Sequence, residues 1–153
     1  MKVYLMRHGQ AESYAASDAE RQLTEKGVSQ ARAMASVLAS APPVKAIASP
    51  YVRACQTALN VIDALPQDIP FETCDCLTPD EDPRTVLSWL ATLSGPGPVL
   101  IVSHNPLVSL LVSLLVYGHQ QASIAMSTAD IACVSYDQLG AGTATLEWFE
   151  AAP

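Results

Sequence analysis

The segment PGPVLIVSHNP, residues 96–106, does most to limit what this chain can become. From Val99 to Val102 every side chain is apolar, and the run is bounded by Pro-Gly-Pro before it and Ser-His-Asn-Pro after it. A strand with one wet face alternates apolar and polar residues, whereas an unbroken run needs protein against both faces. Residues 96–103 are therefore predicted to form an inner strand of a sheet covered on both sides. The stretch that follows, Leu107 to Tyr117, is apolar almost all round, which predicts a buried helix opened by Asn105-Pro106.

The remaining pattern repeats this alternation. KVYLM (2–6) reads as a short strand. Leu23 to Leu38 carries apolar residues at Val28, Ala31, Met34, Ala35 and Leu38, a helical spacing, with Thr24 in the N-cap region and Pro42-Pro43 closing it. VKAIAS (44–49) is a second strand. Ser49-Pro50 reads as cap plus first helical residue of a helix reaching about Leu65. FETCD (71–75) is a third extended segment, and Asp82-Pro83 opens a helix from about Arg84 to Leu93. ADIACVSYD (129–137) and TATLEWFE (143–150), separated by the turn signal LGAG, are expected to pair as a hairpin. Strands and helices alternating in this way predict a single three-layer α/β/α domain over residues 1–153, with a mostly parallel sheet and an antiparallel edge.

Composition excludes several functions. The net charge is −7 with only eight Lys and Arg residues, too few for the basic stripe that nucleic-acid binding requires. No window holds the roughly 20 uninterrupted apolar residues of a membrane span, because histidine, asparagine and proline break the one candidate, 99–117. The N-terminus shows only four consecutive apolar residues, Val3 to Met6, unlike a signal peptide, so a cytoplasmic location is expected. Cys55, Cys74, Cys76 and Cys133 then read as reduced thiols. Cys74-Asp75-Cys76 lacks the second pair or added histidines of a zinc site, and no metal is expected.

In open α/β sheets ligands bind beyond the carboxyl ends of the strands. Those junctions hold Arg7-His8-Gly9, Ser49-Pro50-Tyr51-Val52-Arg53 and Ser103-His104-Asn105-Pro106. Taken singly, each has an ordinary explanation as a strand-end histidine, an edge cation or a solvated helix arginine. Together they put two of the three histidines and two arginines at one rim, which predicts an anion site. Guanidinium forks suit phosphate oxygens, and helix N-termini at the same rim add N–H donors. Gly9 permits a close backbone approach. His119, in YGHQQ, reads as an ordinary residue after a helix end.

RHG (7–9), SPYVRACQTA (49–58) and VSHNP (102–106) resemble, in order, the three signatures of the histidine phosphatase (phosphoglycerate mutase-like) superfamily. SDAERQLTEKG (17–27) and the short chain resemble its SixA-type phosphohistidine phosphatase branch. The resemblance implies a phosphoglycerate mutase-like fold and a phosphatase without metal or cofactor. It makes His8 the nucleophile that accepts the phosphoryl group, and Arg7, Arg53 and a protonated His104 the phosphate pocket. Arg21 is implied as a substrate contact, although a loop salt bridge with Asp18 explains it equally well. The implied partner is a phosphohistidine-bearing protein, a phosphotransferase-system carrier or a phosphotransfer domain, with inorganic phosphate as product. Many members also use a carboxylate general acid. Here only Asp80, Glu81 and Asp82 are near, and Asp82 is better explained as a cap. A weak or missing acid favours phosphohistidine, whose imidazole leaves easily, over an ester. A small-molecule phosphomonoesterase and a noncatalytic phosphate-binding module are the alternatives. A mutase is disfavoured, because the chain is too short for the insertions that hold a second ligand group.

Overall fold

The apolar run settles as β4, Val99–Ser103, with all five residues buried. It lies between β1 (Lys2–Arg7) and β2 (Lys45–Ala48) and is parallel to both. The computed structural model describes residues 1–121 and 124–153. In it, β3 (Phe71–Thr73), β5 (Ile131–Ser135) and β6 (Thr145–Glu150) complete a sheet in the order β3-β2-β4-β1-β5-β6. The first four strands in that order run parallel, while β5 and β6 are antiparallel, as the hairpin reading expected.

Alternation along the strands splits the core into two halves. Val3, Leu5, Val99 and Ile101 face the half shared with α3 (Pro83–Leu90) and α4 (Leu107–Tyr117). Tyr4, Met6, Leu100 and Val102 face the half shared with α1 (Glu25–Leu38) and α2 (Val52–Asp63). The sheet is thus sandwiched, which is why β4 needs no polar face. Each fully buried leucine here, such as Leu5 or Leu111, contributes about 1.5–3 kcal/mol.

Three helix starts follow the sequence, α4 beginning at Leu107 after Asn105-Pro106. Thr24 accepts from the Gly27 N–H, and Asp82 accepts from the Arg84 N–H with Pro83 in the first helical turn. One does not. α2 begins at Val52 rather than at Pro50, and Tyr51 stands at its cap position without a side-chain bond. Ser49 is drawn into contacts elsewhere. The far ends of two helices are also shorter than predicted. α2 stops at Asp63, and α3 stops at Leu90, where Thr92 and Leu93 donate to Trp89 and Leu90 and tighten the chain into turns. β4 starts only at Val99, because Gly95 and Gly97 adopt φ of 110° and 91°, outside strand geometry. Among the described residues no helix is long and apolar enough to cross a membrane.

Candidate active site

The carboxyl ends of β1, β2 and β4 meet at one rim, so the three junctions converge. The β1–β4 ladder runs on past the strand, with the His8 N–H donating to Ser103 O at 3.0 Å. Beyond it the Gly9 N–H donates to Thr57 Oγ1 at 3.0 Å, and that hydroxyl donates to Arg53 O at 2.7 Å. Thr57 thereby fastens the first turn of α2 to the backbone after His8. Gly9 is required by space rather than by φ. A Cβ there would lie 2.7 Å from Gly27 O, where α1 backs onto this loop.

His8 is 7% exposed and its ring is fixed at both nitrogens. Nδ1 lies 2.7 Å from Gly9 O, a group that can only accept, so Nδ1 carries the proton. Nε2 is left with its lone pair, and the Arg53 Nε–H points at it from 3.4 Å. Burial, opposed in part by the Gly9 bond and aided by the charges of Arg53, Arg7 and Arg21, pushes the imidazole down to about 4. At neutral pH His8 is uncharged, with an available Nε2.

Arg53, 3% exposed, is held over the Tyr51 ring at 5.2 Å. Its remaining nitrogens donate to Asp18, at 2.7 Å to the backbone oxygen and 3.2 Å to the carboxylate. The other Asp18 oxygen takes the Arg21 Nε–H at 2.9 Å. Against the burial penalty, bonds and charge from Arg53 and Arg21 hold the Asp18 carboxyl below its ordinary value. The Asp18–Arg21 salt bridge of the sequence reading is therefore present, and it joins Arg21 to the site instead of leaving it in solvent. Arg7 donates to Met126 O at 3.1 Å, an oxygen that also takes the Asn105 side-chain N–H. Arg7 Nε is buried without a hydrogen-bond partner among the described residues.

His104 is 1% exposed, and its ring centroid lies 5.1 Å from that of His8. Its Nε2 sits 2.8 Å from Ser49 Oγ, while Nδ1 is buried without a partner among the described residues. Burial first, then His8 and Arg53, push its imidazole down to about 3. The imidazolium expected from the resemblance is thus not the form this pocket favours.

The structure therefore brings His8, His104, Arg7, Arg53 and Arg21 together. Asp80 and Glu81 are exposed and make no side-chain hydrogen bond or ion pair among the described residues. His119 stacks on Tyr117 at 5.9 Å and takes no part. Sequence reading overlooked Thr57 and misassigned Ser49, because a hydroxyl near a helix start reads as a cap until its distant partners are known. Among the described residues no three His, Cys, Asp or Glu side chains gather to hold a metal ion. Three guanidinium groups close to two buried imidazoles give this rim the chemistry that suits an oxyanion.

Comparison with known proteins agrees with this geometry. Residues 3–78 match the model of the histidine phosphatase superfamily, branch 1. The chain is a hydrolase that belongs to the histidine phosphatase superfamily. Within it the chain is a homologue of SixA. It is 38% identical to phosphohistidine phosphatase SixA of Escherichia coli (strain K12) over 147 residues, 94% of this chain and 90% of that one. It is 36% identical over 148 residues to the SixA homolog of Haemophilus influenzae, 90% of this chain and 89% of that one. The structure of the protein histidine phosphatase SixA complexed with tungstate superposes with a TM-score of 0.88 at 36% identity, covering 99% of this chain and 97% of that one.

Proposed function

We propose that this protein removes the phosphoryl group from phosphohistidine on a partner protein, through a covalent intermediate on His8. The observation that carries the reading is the ring of His8, neutral and held by Gly9 O with its Nε2 lone pair among Arg7, Arg21 and Arg53.

Nε2 attacks phosphorus as the phosphorus–nitrogen bond to the partner's imidazole breaks, and that imidazole takes a proton from water. A water then attacks the phosphoryl group on His8, the new bond breaks, and inorganic phosphate leaves with His8 restored. Splitting the hydrolysis this way replaces one hard displacement with two easier ones. Arg7 and Arg53 offset the charge on the equatorial oxygens in both transition states, with His104 as a further donor. Arg21 acts next to them, through Asp18 on Arg53 and by its own charge on both histidines.

The substrate class follows from the leaving group. An alkoxide needs a positioned acid, and Asp80 and Glu81 make no polar contact that would position them. An imidazole is protonated readily by solvent. The partner is accordingly a phosphotransferase-system carrier or a phosphotransfer domain. The four free thiols fit the reducing cytoplasm as the place of action.

The test is a panel of phosphohistidine proteins assayed beside common phosphomonoesters, with the double variant Asp80→Asn, Glu81→Gln. Phosphohistidine turnover should be high and nearly unchanged in the double variant, with low ester turnover. Ester hydrolysis that is efficient and collapses about 10²–10⁴-fold in the double variant would favour a small-molecule phosphomonoesterase. Binding with no single-turnover phosphate release would favour a noncatalytic module.

A further inference from the structure

Ser49 ends β2 and precedes Pro50, and the sequence reads it as a helix cap. The structure gives it other partners. The residue is fully buried, its Oγ receives the Tyr51 N–H at 3.2 Å, and the same Oγ lies 2.8 Å from His104 Nε2. The hydroxyl has a single proton to give. With one lone pair taken by Tyr51, the only acceptor the described contacts offer that proton is the Nε2 lone pair. Were Nε2 itself protonated, it would donate to the second Oγ lone pair and the fully buried Ser49 O–H would be left without an acceptor, a costly arrangement. The satisfied arrangement is a directed chain from Tyr51 N–H to Ser49 O–H to His104 Nε2. It leaves the ring proton on Nδ1, the atom with no partner among the described residues.

We propose that Ser49 is a positioning residue that locks His104 in its Nδ1–H tautomer, so that a neutral imidazole donates Nδ1–H to an oxygen of the phosphoryl group. The proposal rests on the phosphate pocket described above. It supplies what an imidazolium had been expected to supply, a hydrogen-bond donor, without requiring a second proton on a ring buried near the charges of Arg53 and Arg21. The ring's orientation has a second support, since Tyr51 packs edge-on against it at 5.1 Å and carries the N–H that starts the chain.

The decisive measurement needs no variant. In ¹⁵N-labelled wild-type protein at neutral pH, the His104 ring should show a protonated Nδ1 and an unprotonated Nε2, before and after titration with tungstate. A protonated Nε2 in the wild-type protein overturns the proposal. Ser49→Ala should then release the ring to a mixture of tautomers, with kcat/KM and vanadate inhibition weakened about tenfold to a hundredfold. That is less than the 10²–10³ of deleting an oxyanion donor outright, because part of the population keeps Nδ1–H. Ser49→Thr, which keeps the hydroxyl, should restore the wild-type tautomer. Because Ser49 acts through the ring, Ser49→Ala in a His104→Ala background should change vanadate inhibition less than twofold. A further tenfold loss there, or an Ser49→Ala protein with wild-type tautomer and inhibition, would refute the assignment. Failure to find any phosphohistidine turnover would strike at the proposed activity and leave the ¹⁵N measurement standing, so the two can be told apart.

Discussion

Replacing Gly27 by alanine should damage catalysis from a helix that carries no catalytic group. A Cβ at this position would lie 2.0 Å from Gln10 O, whereas ordinary contact begins at 3.4 Å, so the gap must open by about 1.4 Å. The oxygen is not free to yield. It accepts the Thr24 N–H at 3.0 Å, and the Gln10 N–H is itself tied to Gln30 Oε1 at 3.0 Å. Overpacking costs about 1–3 kcal/mol and the strained hydrogen bond about 1 more, while alanine returns up to about 1 kcal/mol in helix propensity. The net loss is about 1–4 kcal/mol, which for a chain of this size lowers Tm by roughly 2–16 °C. Gln10 is two residues from His8, and a misplacement of about 1 Å at a reacting group costs on the order of 10²-fold in rate. The assays are calorimetric unfolding and turnover of a phosphohistidine protein, with Ser29→Ala on the exposed face of α1 as the control expected to change neither. A Gly27→Ala protein with wild-type Tm and turnover within twofold would refute the argument that α1 and the His8 loop are in obligatory contact.

His8→Ala should reduce turnover by several orders of magnitude and abolish acid-labile phosphorylation of the protein; a variant with a tenth of wild-type turnover would exclude His8 as nucleophile. Arg53→Ala should weaken competition by phosphate, vanadate or tungstate, and Arg53→Lys should recover only part of it, because an ammonium cannot copy the guanidinium fork; unchanged inhibition in Arg53→Ala would remove the residue from the pocket. Stability should fall as pH drops from about 6.5 toward 4 in buffer free of oxyanions. His8 and His104 titrate lower in the folded protein, at about 4 and about 3, so in this window the unfolded chain binds more protons. Each histidine then contributes a loss of about 1.4 kcal/mol per pH unit, and denaturant titrations showing no change or a gain across that window would contradict the burial argument.

Most of the fold was legible because burial writes itself into composition. The unbroken run at β4 and the apolar surround of α4 announced a covered sheet, and the caps Thr24 and Asp82 behave as read. The convergence of His8, Arg53 and His104 was legible from topology, since parallel strands deliver their carboxyl ends to one rim. What stayed hidden involves partners far apart in the chain. Thr57 as the clamp on Gly9 joins residues 48 positions apart, and Ser49 joins His104 across 55. Nothing local distinguishes such a hydroxyl from a cap. The depth at which His104 is buried stayed hidden for a related reason, because desolvation depends on how deeply the rim is packed, and that is a property of the assembled layers.

The distribution of charge explains why a chain with a net −7 can still seek an anion. Of its eight cations, Arg32, Lys45 and Arg84 are spent in surface ion pairs with Asp63, Glu72 and Asp82, which are worth little in water. Arg7, Arg21 and Arg53 are gathered at one rim, two of them substantially buried, where low dielectric strengthens each interaction. Among the described residues Asp18 is the carboxylate that ion-pairs with them, and it is mostly exposed, while the buried Asp130 acts on Arg7 through its charge. The same burial that denies protons to both histidines thus leaves positive charge that protein groups only partly compensate. In the proposed reaction a phosphoryl group supplies the missing negative charge and meets a neutral imidazole, so binding and chemistry draw on one physical feature, the burial of side chains at the ends of β1, β2 and β4.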